Sequence, residues 1–275
     1  MMAARDLVMG ATRRQSVGRP VAKRYSPSRA GMRPVAASQQ AESGAMSARE
    51  LLKDLPIAFD LDGTLVDTAP DLVRALNASI APHGLKPVPV ADVRAMVGRG
   101  ARALIAKAYE REGRALAEDV LQDRLDHFLA VYREAIAVES RAFEGVETVL
   151  DSLAGAGARL SVCTNKPQAL AEALLDALKL AGRFERIVGP EGAPAKKPDP
   201  SHLLAAFGHE PAGASVLVGD SEPDVLAARG AGALSIVFEG GYSEKPARTL
   251  GADRLFTRFD ELETVLLDAL SHAGR

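Results

Sequence analysis

The chain has 275 residues, 47% hydrophobic and 25% charged, with 34 Lys and Arg against 36 Asp and Glu for a formal net charge of −2. That balance excludes a uniformly basic nucleic-acid binder and a fibrous or low-complexity chain. One cysteine excludes an internal disulfide, and no apolar stretch is long enough to be a membrane helix.

Residues 1–45 differ in composition from the rest. They carry Arg5, Arg13, Arg14, Arg19, Lys23, Arg24, Arg29 and Arg33 against Asp6 and Glu42. Taking that net +6 from the chain's −2 leaves −8 on the remainder, so the remainder offers no general nucleic-acid footprint. A basic, unpatterned, Ser-containing stretch is expected to be a disordered extension. It fits either an organellar transit peptide or an upstream start codon, the reading favoured here being the second, with Met46 opening the functional protein.

From residue 46 the chain alternates apolar runs with amphipathic ones. The run Ile57-Ala58-Phe59 stops abruptly at Asp60-Leu61-Asp62-Gly63-Thr64-Leu65, which sets two carboxylates two residues apart. An Asp-Gly pair by itself is a turn signal. At the carboxyl end of an α/β strand, where ligands bind, paired acids instead mark a reaction centre.

Leu72, Val73, Leu76 and Ile80 then recur at helical spacing, and residues 68–141 contain no β-rich run. This predicts an inserted helical domain over 68–141, leaving 46–67 and 142–275 as a discontinuous core. Leu121, Leu125, Phe128, Leu129 and Tyr132 form a stripe expected to be the core of the helical bundle. Arg99 and Arg102 stand beside Gly98 and Gly100 at a helix start, a composition that either meets an anion or only breaks the helix.

Two further apolar runs end in polar residues, Leu160-Ser161-Val162-Cys163 at Thr164 and Val216-Leu217-Val218-Gly219 at Asp220. Leu170, Leu174, Leu175 and Leu178 after the first, and Val225 and Leu226 after the second, carry helical spacing. The alternation predicts an α/β fold, a doubly wound, mostly parallel sheet with a Rossmann-like core. Asp60, Thr164 and Asp220 share one rim if the three strands are neighbours. Between them, Lys196-Lys197-Pro198-Asp199-Pro200 places a lysine in a loop, and Asp224 follows Asp220 as either a further site acid or a first-turn acid. Cys163 is expected in the core, and the histidines (His83, His127, His202, His209, His272) have no metal-ligand spacing.

The order Asp60-x-Asp62-Gly-Thr, then Thr164, then Lys197-Pro198, then Gly219-Asp220-x-x-x-Asp224 resembles the haloacid dehalogenase superfamily over about residues 57–256. The resemblance implies a Mg²⁺-dependent phosphomonoester hydrolase with Asp60 as nucleophile, forming an aspartyl phosphate, and Asp62 as general acid and base. It implies Asp60, Asp220 and the Asp62 carbonyl as metal ligands, with Asp224 assisting through a water or from behind these ligands. Thr164 and Lys197 would bind the phosphoryl oxygens, joined by the amides of Gly63, Asn165 and Lys166. The insert corresponds to the superfamily's helical cap, where Arg99 and Arg102 would read the substrate's distal end. An acid at position 62 favours phosphoryl chemistry over carbon–halogen cleavage.

Within the superfamily the stretches Thr164-Asn165-Lys166-Pro167 and Gly240-Gly241-Tyr242 are most similar to those of phosphatases acting on 2-phosphoglycolate. Another small phosphomonoester such as a sugar phosphate, and a sugar-phosphate mutase, stay open at this point. So, more remotely, does a receiver-like phosphoacceptor switch. The expected partner is a small phosphorylated metabolite, with no nucleic acid or membrane, in a cytoplasmic monomer or homodimer, organellar import being left open.

Overall fold

The computed structural model describes residues 47–94, 96–97, 100–208 and 213–273. The expectations for the 1–45 extension, for Arg99 and for His209 fall outside these residues. The elements in chain order are α1 (Ala48–Leu52), β1 (Pro56–Phe59), β2 (Val66–Asp67), α2 (Ala69–Ile80), α3 (Val90–Arg94), α4 (Ala101–Arg111), α5 (Glu118–Glu134) and β3 (Arg141–Ala142). They continue with α6 (Val146–Gly155), β4 (Arg159–Cys163), α7 (Gln168–Ala177), β5 (Arg186–Val188), α8 (Pro200–Phe207), β6 (Val216–Gly219), α9 (Glu222–Ala231), β7 (Leu234–Phe238), β8 (Arg254–Phe256) and α10 (Leu262–Ala273).

Six parallel strands form one sheet in the order β5-β4-β1-β6-β7-β8. The chain builds outward from β1 through β4 and β5, then returns to the other side of β1 for β6, β7 and β8. β1 is therefore central, and the crevice beyond its carboxyl end is the switch point of the topology. Strand alternation divides the core into two faces. Ile57 and Phe59 pack with Val149, Leu150 and Leu153 of α6 and Leu262 and Leu266 at the start of α10. Ala58, Cys163 and Leu217 pack on the opposite face with Leu203 and Phe207 of α8 and Ala227 and Ala228 of α9. With both faces covered, β1 and β6 read as unbroken apolar runs rather than as alternating ones. Cys163 sits in this core as expected, its thiol pushed up to about 12 by burial.

The helices α2 to α5 share their own apolar cluster, in which Leu72, Leu76, Ile105, Tyr109, Phe128 and Tyr132 are buried together with Leu170 of α7 and with Tyr242. β2 and β3 pair antiparallel, Val66 opposite Ala142 and Asp67 opposite Arg141, so the helical insert leaves and rejoins the core at one place. Asp71, in the first turn of α2, fastens that junction. Its Oδ2 accepts from the Glu139 amide at 2.9 Å, the Ser140 amide at 2.8 Å and the Ser140 hydroxyl at 2.8 Å, while Arg74 Nε donates to Oδ1 at 3.1 Å. Burial opposes the charge, but the Ser140 and Glu139 donors outweigh it and hold the carboxyl below its usual range.

Asp71→Asn presents an amide to two backbone donors and is expected to cost about 2–3 kcal/mol in urea unfolding at neutral pH. Because the folded-state pKa is depressed, Asp71's contribution is complete above the unfolded value of about 3.9 and is lost as pH falls towards the folded one. The gap between wild type and Asp71→Asn should accordingly close as pH drops below about 4, and a gap unchanged at pH 3 would contradict this account.

Candidate active site

Asp60, Thr164 and Asp220 each follow the last residue of a strand, and β1 lies between β4 and β6, so the three residues stand side by side. Backbone pairing carries on into them. The Asp60 amide donates to the Val218 carbonyl at 2.9 Å and the Thr164 amide to the Val188 carbonyl at 3.0 Å. The sheet edge, rather than a loop, therefore sets where Asp60 and Thr164 sit.

Asp60, Asp220 and Asp224 each present a carboxylate oxygen within 4.8 Å of the others, and all three are buried. Asp220 accepts from Thr64 Oγ1 at 2.9 Å and from the Tyr242 amide at 2.6 Å. Asp224 caps α9 in a reciprocal arrangement with Ser221, its Oδ2 accepting from the Ser221 hydroxyl at 2.7 Å and amide at 3.0 Å. It is thus both of the things its position allowed, a first-turn acid and a member of the cluster. Burial, opposed by Lys197 and reinforced by Asp224, brings the Asp60 carboxyl up to about 6. Burial first, then Asp60 and Asp224, push Asp220 well above its ordinary value.

The cation within this cluster is Lys197, whose Nζ lies 2.8 Å from Asp60 Oδ1 and 2.6 Å from Asp224 Oδ1. Burial works against its charge, but Asp224 and Asp60 raise its pKa above the usual lysine range. Its backbone is fixed from both sides, the amide donating to His202 Nδ1 at 3.0 Å and the carbonyl accepting from Asn165 Nδ2 at 3.0 Å. Burial and the Lys197 charge hold His202 below its ordinary pKa, which keeps a ring nitrogen available as acceptor. Three clustered carboxylates of which two carry raised pKa values are a donor set suited to a hard divalent cation.

Asp62 lies apart from that trio. Both of its oxygens face Lys166 Nζ, at 3.1 and 3.3 Å, and Lys166 Nζ also donates to the Tyr132 hydroxyl at 2.9 Å. Beside these groups opens a cavity of about 290 Å³ lined by Asp60, Asp62, Thr164, Asn165 and Lys166 from the core and by Leu125, Phe128, Leu129 and Tyr132 from α5. The α5 stripe therefore does more than fill a bundle, since one edge of it borders the cavity beside Asp60 and Asp62. Arg102 lines the same cavity, with its guanidinium donating to Gln122 Oε1 at 2.7 Å and paired with Glu118.

Amides read from sequence as phosphoryl donors have partners inside their own loops. That of Gly63 donates to the Val66 carbonyl at 2.9 Å, and that of Lys166 to Thr164 Oγ1 at 3.2 Å. Gly63 enters the site through its missing side chain. At φ +89° a Cβ would lie 2.7 Å from both Asp220 Oδ2 and the Tyr242 ring. Sequence reasoning placed Tyr132 in the bundle stripe and His202 outside any metal-ligand spacing, and did not reach the bonding roles of these two or of Tyr242, whose hydroxyl accepts from the Ala69 amide at 3.0 Å and donates to Asp67. An aromatic or a histidine on an apolar face carries no signal until its distant partner is known.

Gly84 also has a positive φ, +70°, but nothing within 4 Å of a Cβ. Gly84→Ala is expected to cost about 1–2 kcal/mol of backbone strain. Gly63→Ala adds overpacking worth about 1–3 kcal/mol more, so its urea midpoint should fall well below that of Gly84→Ala; equal midpoints would refute the crowding.

A family model described as haloacid dehalogenase-like hydrolase matches residues 57–232. A phosphoglycolate phosphatase of Caulobacter vibrioides is 46% identical over 228 residues, covering 82% of this chain and 96% of that protein. The crystal structure of a protein from Haemophilus somnus 129pt, assigned by prediction as a phosphoglycolate phosphatase, superposes with a TM-score of 0.71 at 30% identity, over 78% of this chain and 98% of that one. CbbY from Rhodobacter sphaeroides, solved as a mutant in complex with xylulose-(1,5)bisphosphate, gives a TM-score of 0.62 at 28% identity, over 75% of this chain and 95% of that one. From its strand-end acids, its parallel sheet and these relatives, the chain belongs to the haloacid dehalogenase-like hydrolases.

Proposed function

We propose that the protein is a phosphomonoester hydrolase that cleaves 2-phosphoglycolate to glycolate and phosphate through an aspartyl phosphate on Asp60. The observation that carries this reading is the convergence of Asp60, Asp62, Thr164 and Lys166 on one cavity, with Lys197 bonded to Asp60 beside it. The substrate assignment draws on the relative from Caulobacter vibrioides, which bears the name phosphoglycolate phosphatase.

In this reading an oxygen of Asp60 attacks phosphorus while the bond to the glycolate oxygen breaks and Asp62 delivers a proton to the departing oxygen. Water then attacks the phosphoryl group of the acyl phosphate, Asp62 takes its proton, and phosphate leaves with Asp60 restored. Lys197 Nζ, 2.8 Å from Asp60 Oδ1, favours the ionised carboxylate that acts as the nucleophile. Lys197 offsets the charge of Asp60 as an anionic substrate approaches, and Thr164 offers a hydroxyl donor at the same rim. Asp60 and Asp220, with Asp224 behind them, are the residues that would hold Mg²⁺, joined by the Asp62 carbonyl. When bound, Mg²⁺ supplies charge neutralisation between the carboxylates and the phosphoryl oxygens. The helices α2 to α5 act as a cap whose apolar face keeps bulk water from the acyl phosphate. Arg102 reads the distal end of the substrate.

A second reading, a phosphatase or mutase for sugar phosphates, draws on the sugar bisphosphate bound by the relative CbbY. Phosphate release from a panel of 2-phosphoglycolate and sugar phosphates separates the two. We expect 2-phosphoglycolate to be turned over at least tenfold faster, as kcat/KM, than any sugar phosphate, a difference of about 1.4 kcal/mol in transition-state binding. Asp60→Asn should release no phosphate while keeping the wild-type circular dichroism spectrum; substantial activity in that variant would sink the mechanism.

Metal binding has its own readout. Mg²⁺ at about a hundredfold excess over its dissociation constant should add roughly 2.7 kcal/mol of stability, which raises the thermal midpoint by several degrees. Asp220→Asn should lose most of that shift. A shift of equal size in both proteins would place the metal elsewhere.

A further inference from the structure

Two lysines divide the two acids of the Asp60-x-Asp62 pair between them. Lys197 belongs to Asp60 and to the buried cluster. Lys166, whose side chain is 4% exposed, belongs to Asp62 and is the one that reaches the helical insert.

We infer that Lys166 and Tyr132 are positioning residues for Asp62, a relay through which the insert orients the group that protonates the leaving oxygen; this rests on the phosphatase reading above. Lys166 is fixed at both ends. Its amide donates to Thr164 Oγ1 at 3.2 Å, and its ammonium donates to the Tyr132 hydroxyl at 2.9 Å while lying 4.6 Å from the centre of that ring. Tyr132 is fixed in turn, stacked on Phe128 with ring centres 6.0 Å apart and planes 13° from parallel. Asp62 is the most exposed of the three, its side chain 16% exposed beside the cavity and met on both oxygens by the same ammonium. A proton donor must lie within hydrogen-bond reach of the oxygen it serves, and small misplacements cost large factors in rate. No side chain of the insert bonds to Asp62 directly among the described residues, so the effect of α5 on this acid runs through Lys166.

The test compares phenyl phosphate with p-nitrophenyl phosphate, two uncharged rings of similar shape. Their leaving groups differ in their need for a proton, nitrophenolate departing without one. Tyr132→Phe keeps the ring, its stacking and its contact with the ammonium, and removes only the hydroxyl. It should lower kcat/KM for phenyl phosphate about tenfold and leave p-nitrophenyl phosphate within about twofold, with Lys166→Gln giving a larger split in the same direction. Crystals of Tyr132→Phe should have Asp62 turned from its wild-type contact with Lys166. Equal losses on both aryl phosphates, no loss on either, or a loss confined to 2-phosphoglycolate would overturn the relay, the last by making Lys166 a contact for the substrate's carboxylate. So would an unchanged Asp62–Lys166 contact in the crystals. If the wild-type protein released phosphate from none of the three substrates, the phosphatase reading itself would fall and take the relay with it.

Discussion

Three carboxylates crowded into a buried pocket are the constraint on which this structure turns. At separations within 4.8 Å, each pair of ionised acids repels by about 3–4 kcal/mol at an effective dielectric near 20, before the cost of removing them from water. The fold meets that repulsion with a buried ammonium bonded to two of the acids and with hydrogen-bond donors aimed at Asp220 and Asp224. Lys197 bridges Asp60 and Asp224, Thr64 and the Tyr242 amide serve Asp220, and the first turn of α9 serves Asp224. The same crowding makes the site suitable for a divalent cation and an anionic substrate. Charges that repel one another within the protein become ligands once a cation shares them.

Holding such a site demands backbone in fixed places. The parallel sheet supplies it, because the last rungs of β1, β4 and β6 end at Asp60, Thr164 and Asp220. The loop after β1 closes tightly enough that Gly63 must lack a side chain, and the loop after β7 brings Gly241 and Tyr242 against Asp220. Tyr242 then spans two functions, its amide on the acid cluster and its hydroxyl on the segment that leads into α2. The acid cluster and the root of the helical insert are in this way fastened to one residue.

The insert meets the core through a narrow junction and a shared apolar surface. Asp71 binds the outgoing helix to the returning chain at Glu139 and Ser140, while Leu170 and Tyr242 join the insert's own apolar cluster. The α5 stripe illustrates how one helical face divides its work. Phe128 and Tyr132 are buried in the bundle, yet with Leu125 and Leu129 they also border the cavity above Asp60 and Asp62. A wall of that kind keeps the space above the two acids apolar, and Tyr132 alone among these side chains adds a polar tip to it.

The sequence by itself determined the alternation of strands and helices, the positions of Asp60 and Asp220 at strand ends, the helical insert and the core burial of Cys163. These are local properties, carried by apolar runs, by helical spacing and by where a run stops. The tertiary structure decided the rest, because it depends on contacts the spacing cannot encode. That Asp60, Thr164 and Asp220 are neighbours follows from β1 lying between β4 and β6, an order set by how the crossovers pack. That Lys197 serves two acids, that Lys166 turns to Asp62 and Tyr132, and that His202 braces the Lys197 amide emerge only on folding. Lys166 is 34 residues from Tyr132 and Tyr242 is 175 from Asp67. A side chain's chemistry can be read from its identity, but its partner is chosen by the packing of the whole chain.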